Sequence, residues 1–129
     1  MYSYGKCLQQ LSEKRKSIRV DFSLKLYYPL INNKSIYKDY DGKRPILEAI
    51  NISDTGICFK SIAKADKGDF ISFLLKVDDK NPSFWTLCEV KWSKHIEDDL
   101  YILGCEFYLL TLNQLSIIRK YIKNTNKNI

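Results

Sequence analysis

A single histidine, His95, is all this chain offers to metal-binding or acid–base chemistry built on imidazole. Its four cysteines, Cys7, Cys58, Cys88 and Cys105, stand far apart with no CxxC and no Cys/His ligand spacing. A zinc site needs such clustering, so no metal is expected and the cysteines read as reduced, packed side chains of a cytoplasmic protein. No apolar run approaches the roughly eighteen residues of a membrane span, and the N-terminus lacks the apolar core of a signal peptide. A catalytic set is also missing. His95 lies in a charged segment with no nucleophile beside it, and Asp78-Asp79 and Asp98-Asp99 read as solvated loop pairs. The expectation is a protein that is not an enzyme and carries no cofactor.

Arginine is scarce as well, with four among 21 basic residues. Two of the four fall together in Lys14-Arg15-Lys16-Ser17-Ile18-Arg19. Elsewhere the chain uses lysine, a point charge, so this stretch is where the planar five-donor guanidinium is spent. The net charge of +6 suits an anionic partner as well as a merely solubilising surface.

The 129 residues make one domain, large enough to bury roughly two thirds of its unfolded surface without a metal or disulfide. Met1 to Glu13 is an N-terminal arm with Leu8 and Leu11 at the spacing of a helical turn. From Val20 the period becomes two: Val20, Phe22, Leu24, Leu26 and Tyr28 alternate with mainly polar residues until Pro29. Ile31 to Tyr40 is polar and tyrosine-rich and reads as a second strand or a wide hairpin, with Asp41-Gly42 as a turn signal before the excursion ends at Lys43.

Strand patterns follow at Pro45–Ser53, Ile57–Phe59, Ile71–Val77, Thr86–Trp92 and Tyr101–Phe107, with His95 to Asp99 as a charged turn. Trp85, Trp92 and the tyrosines are expected in the barrel core and rim rather than on a base-stacking platform. At Thr111 the pattern turns helical: Thr111 and Gln114 make a capping box, and Leu112, Leu115, Ile118 and Ile122 share a stripe. Short strands followed by one amphipathic helix predict a mainly β protein, a small antiparallel barrel with a helical lid over residues 14–123, and a frayed tail over 124–129.

Two patterns stand out, Arg15-x-x-x-Arg19 before the first strand and Asn51-x-Ser53-x-x-Gly56 at the end of a middle strand. In this order within one barrel-like domain they resemble the signature of the PilZ family of bacterial cyclic di-GMP receptors, RxxxR followed by [D/N]xSxxG. Glu89-Val90-Lys91-Trp92 and Leu103-Gly104-Cys105-Glu106-Phe107 look like the family's later strands. The resemblance runs from Arg15 to Ile122 and departs from the family in the Ile31 to Lys43 excursion. It implies a six-stranded antiparallel barrel with a C-terminal helix, and cyclic di-GMP held by Lys14, Arg15, Arg19, Asn51, Ser53 and Gly56. A basic residue at Lys14 implies a stacked ligand pair. An N-terminal arm that is mobile without ligand and wraps over it would offer a new surface to a protein effector.

The residue types suit that ligand on chemical grounds. Two phosphodiesters and two guanines demand charge, base-edge hydrogen bonds and stacking faces, and arginine supplies all three. On a strand, Asn51 and Ser53 would share a face, where they could meet a guanine edge or anchor the arginine loop, and Gly56 would permit a tight turn. The rivals are a PilZ-like adaptor acting only through protein contacts, and a small basic barrel binding RNA or DNA. No nucleic acid is expected, because lysines and aromatics are not interleaved on one face. The chain is expected to be a monomer or weak dimer.

Overall fold

The computed structural model describes residues 17–126. Its strands are β1 (Val20–Leu26), β2 (Leu30–Ile31), β3 (Lys34–Ser35), β4 (Leu47–Ile52), β5 (Gly56–Ser61), β6 (Phe70–Leu75), β7 (Phe84–Glu97) and β8 (Leu100–Leu109), followed by one helix, α1 (Leu112–Asn126). All eight join one sheet in the order β1-β4-β5-β8-β7-β6-β2-β3, with every pair antiparallel.

The sheet is curled rather than closed, and it has eight strands where six were expected. The six long strands are those whose alternation is plain in the sequence. The extra two come from the Ile31 to Lys43 excursion, which folds as a two-residue hairpin, Leu30-Ile31 against Lys34-Ser35. Asn32 and Asn33 take φ of 52° and 65°, the left-handed pair that a tight hairpin needs and that asparagine tolerates best after glycine.

Curling follows from one connection. The chain leaves β1 at Leu26 on one edge of the sheet and by Leu30 is paired with Ser72 of β6 near the other. Four residues span at most about 14 Å, so the two edges must approach across Tyr27-Tyr28-Pro29. Register shifts between Asp21 and Leu24 and between Ala49 and Asn51 add local bend.

Inside the curl, Phe59 meets Phe73 edge to face at 5.3 Å, surrounded by Leu47, Ile57, Ile71, Leu75, Val90 and Leu103, all fully buried. The helix closes one end. Ile117, Ile118 and Ile122 enter the core, and Tyr121 stands edge-on to Phe22 at 5.6 Å while its hydroxyl donates to the Asp21 carbonyl at 3.0 Å. Its start is the expected capping box: Gln114 N–H donates to Thr111 Oγ1 at 3.1 Å and Thr111 N–H to Gln114 Oε1 at 3.0 Å.

Other expectations need correction. Leu112 is 85% exposed, because the buried stripe shifts to Ile117 once the helix has turned onto β1. The helix runs on to Asn126, so residues 124–126 are helical and not a frayed tail. Strand β7 continues through Glu97, and the charged turn shrinks to Asp98-Asp99, with Asp98 at φ 39°. His95 is held in that strand by stacking on Tyr101 at 4.8 Å and by its Nε2 contact with the Asp98 carbonyl at 2.6 Å. Trp85 and Trp92 lie outside, 59% and 49% exposed. The Trp92 indole covers Gly104 so closely that a Cβ there would collide with it. Among the described residues no helix is long and apolar enough to cross a membrane, and Cys58, Cys88 and Cys105 are free and buried.

Candidate functional site

Antiparallel pairing of β1 with β4 places the start of one beside the end of the other: Val20 faces Ile52 and Asp21 faces Asn51. Arg19 therefore emerges next to the Asn51–Gly56 segment, although 32 residues separate Arg19 from Asn51 in the chain. Arg19 Nη1 donates to Asn51 Oδ1 at 3.0 Å. That bond uses the amide oxygen, and among the described residues it leaves the Asn51 NH2 group, with the other guanidinium N–H donors, available to acceptors on a ligand.

Ser53 is fully buried, whereas Asn51 is part-exposed; strand β4 ends at Ile52 and the alternation ends with it. The two side chains do not share a face. Ser53 Oγ instead accepts from Thr55 N–H at 3.2 Å and Gly56 N–H at 3.1 Å, and Ser53 N–H donates to the Gly56 carbonyl at 2.8 Å. The hydroxyl is thus committed to closing the turn from β4 into β5. Gly56 does not need positive φ. It is required because a Cβ would strike the Cys105 carbonyl of the neighbouring β8.

Four residues with no distinct signal in the sequence, Ser17, Asp54, Thr55 and Arg119, complete the arrangement. Thr55 Oγ1 donates to Ser17 Oγ at 3.3 Å, a second link between the turn and the segment that carries Arg19. The Thr55 carbonyl accepts from Phe107 N–H at 2.9 Å, fixing the turn to β8. Arg119 of α1 reaches Asp54 Oδ2 through Nε at 3.1 Å, while Asp54 Oδ1 is buried without a partner among the described residues. Arg119 is 65 residues away from Asp54, so only the fold brings them together.

Beneath the site, burial raises the Cys58 thiol pKa, against which the Arg19 charge pulls down and Cys105 adds a further rise. Lys14 and Arg15 lie outside the described residues, as does Cys7. A groove of about 530 Å³ runs along β1 and β4 past Asp21, Glu48, Ile50 and Tyr121, but neither Arg19 nor Asn51 lines it. Among the described residues no group of His, Cys, Asp or Glu is arranged to hold a metal ion.

The PilZ domain family model matches residues 13–124. The chain belongs to the PilZ family. The PilZ fold here is similar to that of the Bacillus subtilis inhibitor of motility MotI/DgrA, with a TM-score of 0.65 at 15% identity over 89% of this chain. The match takes up 52% of that protein, so this PilZ chain spans about half of its length. No curated protein matches in sequence. PilZ proteins are in general receptors for cyclic di-GMP or adaptors rather than enzymes. The described residues of the two patterns singled out in the sequence, Arg19 with Asn51, Ser53 and Gly56, converge on one end of the β1–β4 pair.

Proposed function

We propose that this PilZ chain is a non-enzymatic receptor for cyclic di-GMP that relays the nucleotide's presence to a protein partner. The observation that carries the reading is the 3.0 Å bond from Arg19 to Asn51, which joins the two halves of the signature across 32 residues. Arg19 and Arg15 supply phosphate and guanine contacts, and Asn51 offers amide donors to a base edge. Ser53 and Gly56 act by shaping the turn. Lys14 adds a further positive charge next to Arg15, suited to a stacked pair of ligands carrying four phosphodiester anions.

Capture of Arg15 and Lys14 by the ligand would couple nucleotide binding to the N-terminal segment that precedes them, and the surface formed by ligand and segment together is what the partner would read. Control of motility, biofilm or secretion fits such an output, motility being the process named for the similar Bacillus subtilis protein. Isothermal titration of the chain with cyclic di-GMP tests the reading. Absence of binding would move the chain to the adaptor class, and salt-sensitive binding of single-stranded RNA would favour the nucleic-acid reading.

A further inference from the structure

At the opposite end of β1 from Arg19, the segment that follows the strand builds a small cavity of about 170 Å³. Its walls include Tyr27, Tyr28, Tyr37 and Tyr40, together with Asp41 and Arg44. Local chain geometry assembles it. Tyr27 and Tyr28 follow β1, and a short 3₁₀ turn, Tyr37–Asp39, returns the next tyrosines onto them, with Tyr40 N–H donating to the Tyr37 carbonyl at 3.1 Å. Tyr28 and Tyr37 stand at 71° with centroids 5.5 Å apart, so two walls meet as a corner. Tyr28 is 71% exposed and Tyr37 43%, an arrangement that a core would not need and solvent would not select.

Two charged residues line this corner, Asp41 and Arg44. Asp41 uses Oδ1 to accept Lys43 N–H at 2.9 Å and makes no ion pair among the described residues. Burial raises the Tyr40 phenol pKa, and the negative charges of Asp39 and then Asp99 raise it further, which places both carboxylates within electrostatic reach of the ring. The cationic wall, Arg44, is neutralised by Asp99 at 2.7 Å. Lys38 and Lys43 flank the loop without lining the cavity.

We infer that this tyrosine corner is a binding site for a small organic cation of the alkylammonium class. Faces of electron-rich rings attract a positive charge, and a cavity of this size takes one such head group while excluding bulkier ligands. The site lies about 20 Å from the Arg19 end, the length of β1, and needs no nucleotide.

Choline is the probe, with its neutral carbon isostere 3,3-dimethylbutan-1-ol as control, titrated into the nucleotide-free chain and followed by amide chemical shifts. Saturable shifts centred on residues 27–46 are expected with choline, the isostere binding at least about threefold more weakly. Tyr37→Leu and Tyr28→Leu should each weaken choline by a similar factor, Tyr37→Phe should not, and Asp41→Asn should weaken it while keeping the Lys43 N–H acceptor. Equal binding of choline and the isostere overturns the proposal. So does an absence of saturation with either choline or tetramethylammonium at tens of millimolar, or unchanged affinity in leucine variants whose spectra remain those of the folded chain.

Discussion

The α-carbon of Gly56 faces the carbonyl of Cys105 across the β5–β8 pair so closely that no Cβ fits between them. A glycine that looks, in the sequence, like a ligand-approach or turn residue is therefore first a packing residue. Gly56→Ala must displace backbone, and should cost about 1–3 kcal/mol of stability or more in urea unfolding. Gly104→Ala is the informative contrast, because there the obstacle is the Trp92 side chain, which is half exposed and can swing away. It should cost less than Gly56→Ala and should redshift tryptophan emission as the indole moves into water.

Thr86 is buried in β7 with its Oγ1 unpaired among the described residues. Replacing a hydroxyl that has no partner by a methyl of the same shape removes a desolvation cost. Thr86→Val is accordingly expected to be neutral or stabilising by up to about 2 kcal/mol. A clear loss of stability in denaturant unfolding would mean that the hydroxyl has a partner, such as a bound water.

The Cys88 thiol has its pKa raised, first by its hydrogen bond with Cys105 and then by burial, and the Cys58 thiol is raised chiefly by burial. Both stay protonated in the folded chain at pH values where an unfolded thiol ionises, at about 8.5 and above. Their contribution to stability is complete below that value and falls as pH rises above it. Unfolding free energy should decline from about pH 8.5 upward, and less steeply in Cys88→Ala relative to its own neutral-pH value. Thiol reagents should modify Cys88 only as fast as the chain opens.

The Arg119–Asp54 pair ties α1 to the turn that carries Ser53 and Gly56. Because Arg119 is largely exposed, a double-mutant cycle with Arg119→Ala and Asp54→Ala should give a coupling of only about 0.2–1 kcal/mol. Its value is positional: shifts in the Thr55 and Gly56 amides are expected on Arg119→Ala, with the sheet otherwise unchanged.

Much of this fold is legible in the residues themselves. Alternation of apolar and polar side chains marks the six long strands, and Thr111 with Gln114 marks the helix start. What could not be read there is set by contacts distant in sequence. A strand or wide hairpin was readable after Pro29, but not its two-residue arms, which depend on left-handed Asn32 and Asn33 and on Asn32 bonding Phe70 and Asp69 of a remote segment. Alternation says which tryptophan positions share a face but not whether that face is covered, and Trp85 and Trp92 are not.

The candidate site was legible as residue types and spacing, through Arg19, Asn51, Ser53 and Gly56. It was not legible as geometry. Only the β1–β4 register reveals that Arg19 meets Asn51, and only burial reveals that Ser53 serves the turn. Arg119 could not have been found, since nothing local distinguishes it from any basic residue late in a helix.

The most direct test of the account is calorimetric titration of cyclic di-GMP into wild type, Arg15→Ala, Arg19→Ala and Asn51→Ala, each verified as folded. Wild type should bind saturably. Loss of either arginine should weaken binding roughly five- to a hundred-fold or more, the value of one bidentate base contact, with Asn51→Ala weakening it less than Arg19→Ala. No heat and no saturation with wild type, or equal affinity in both arginine variants and wild type, would contradict it.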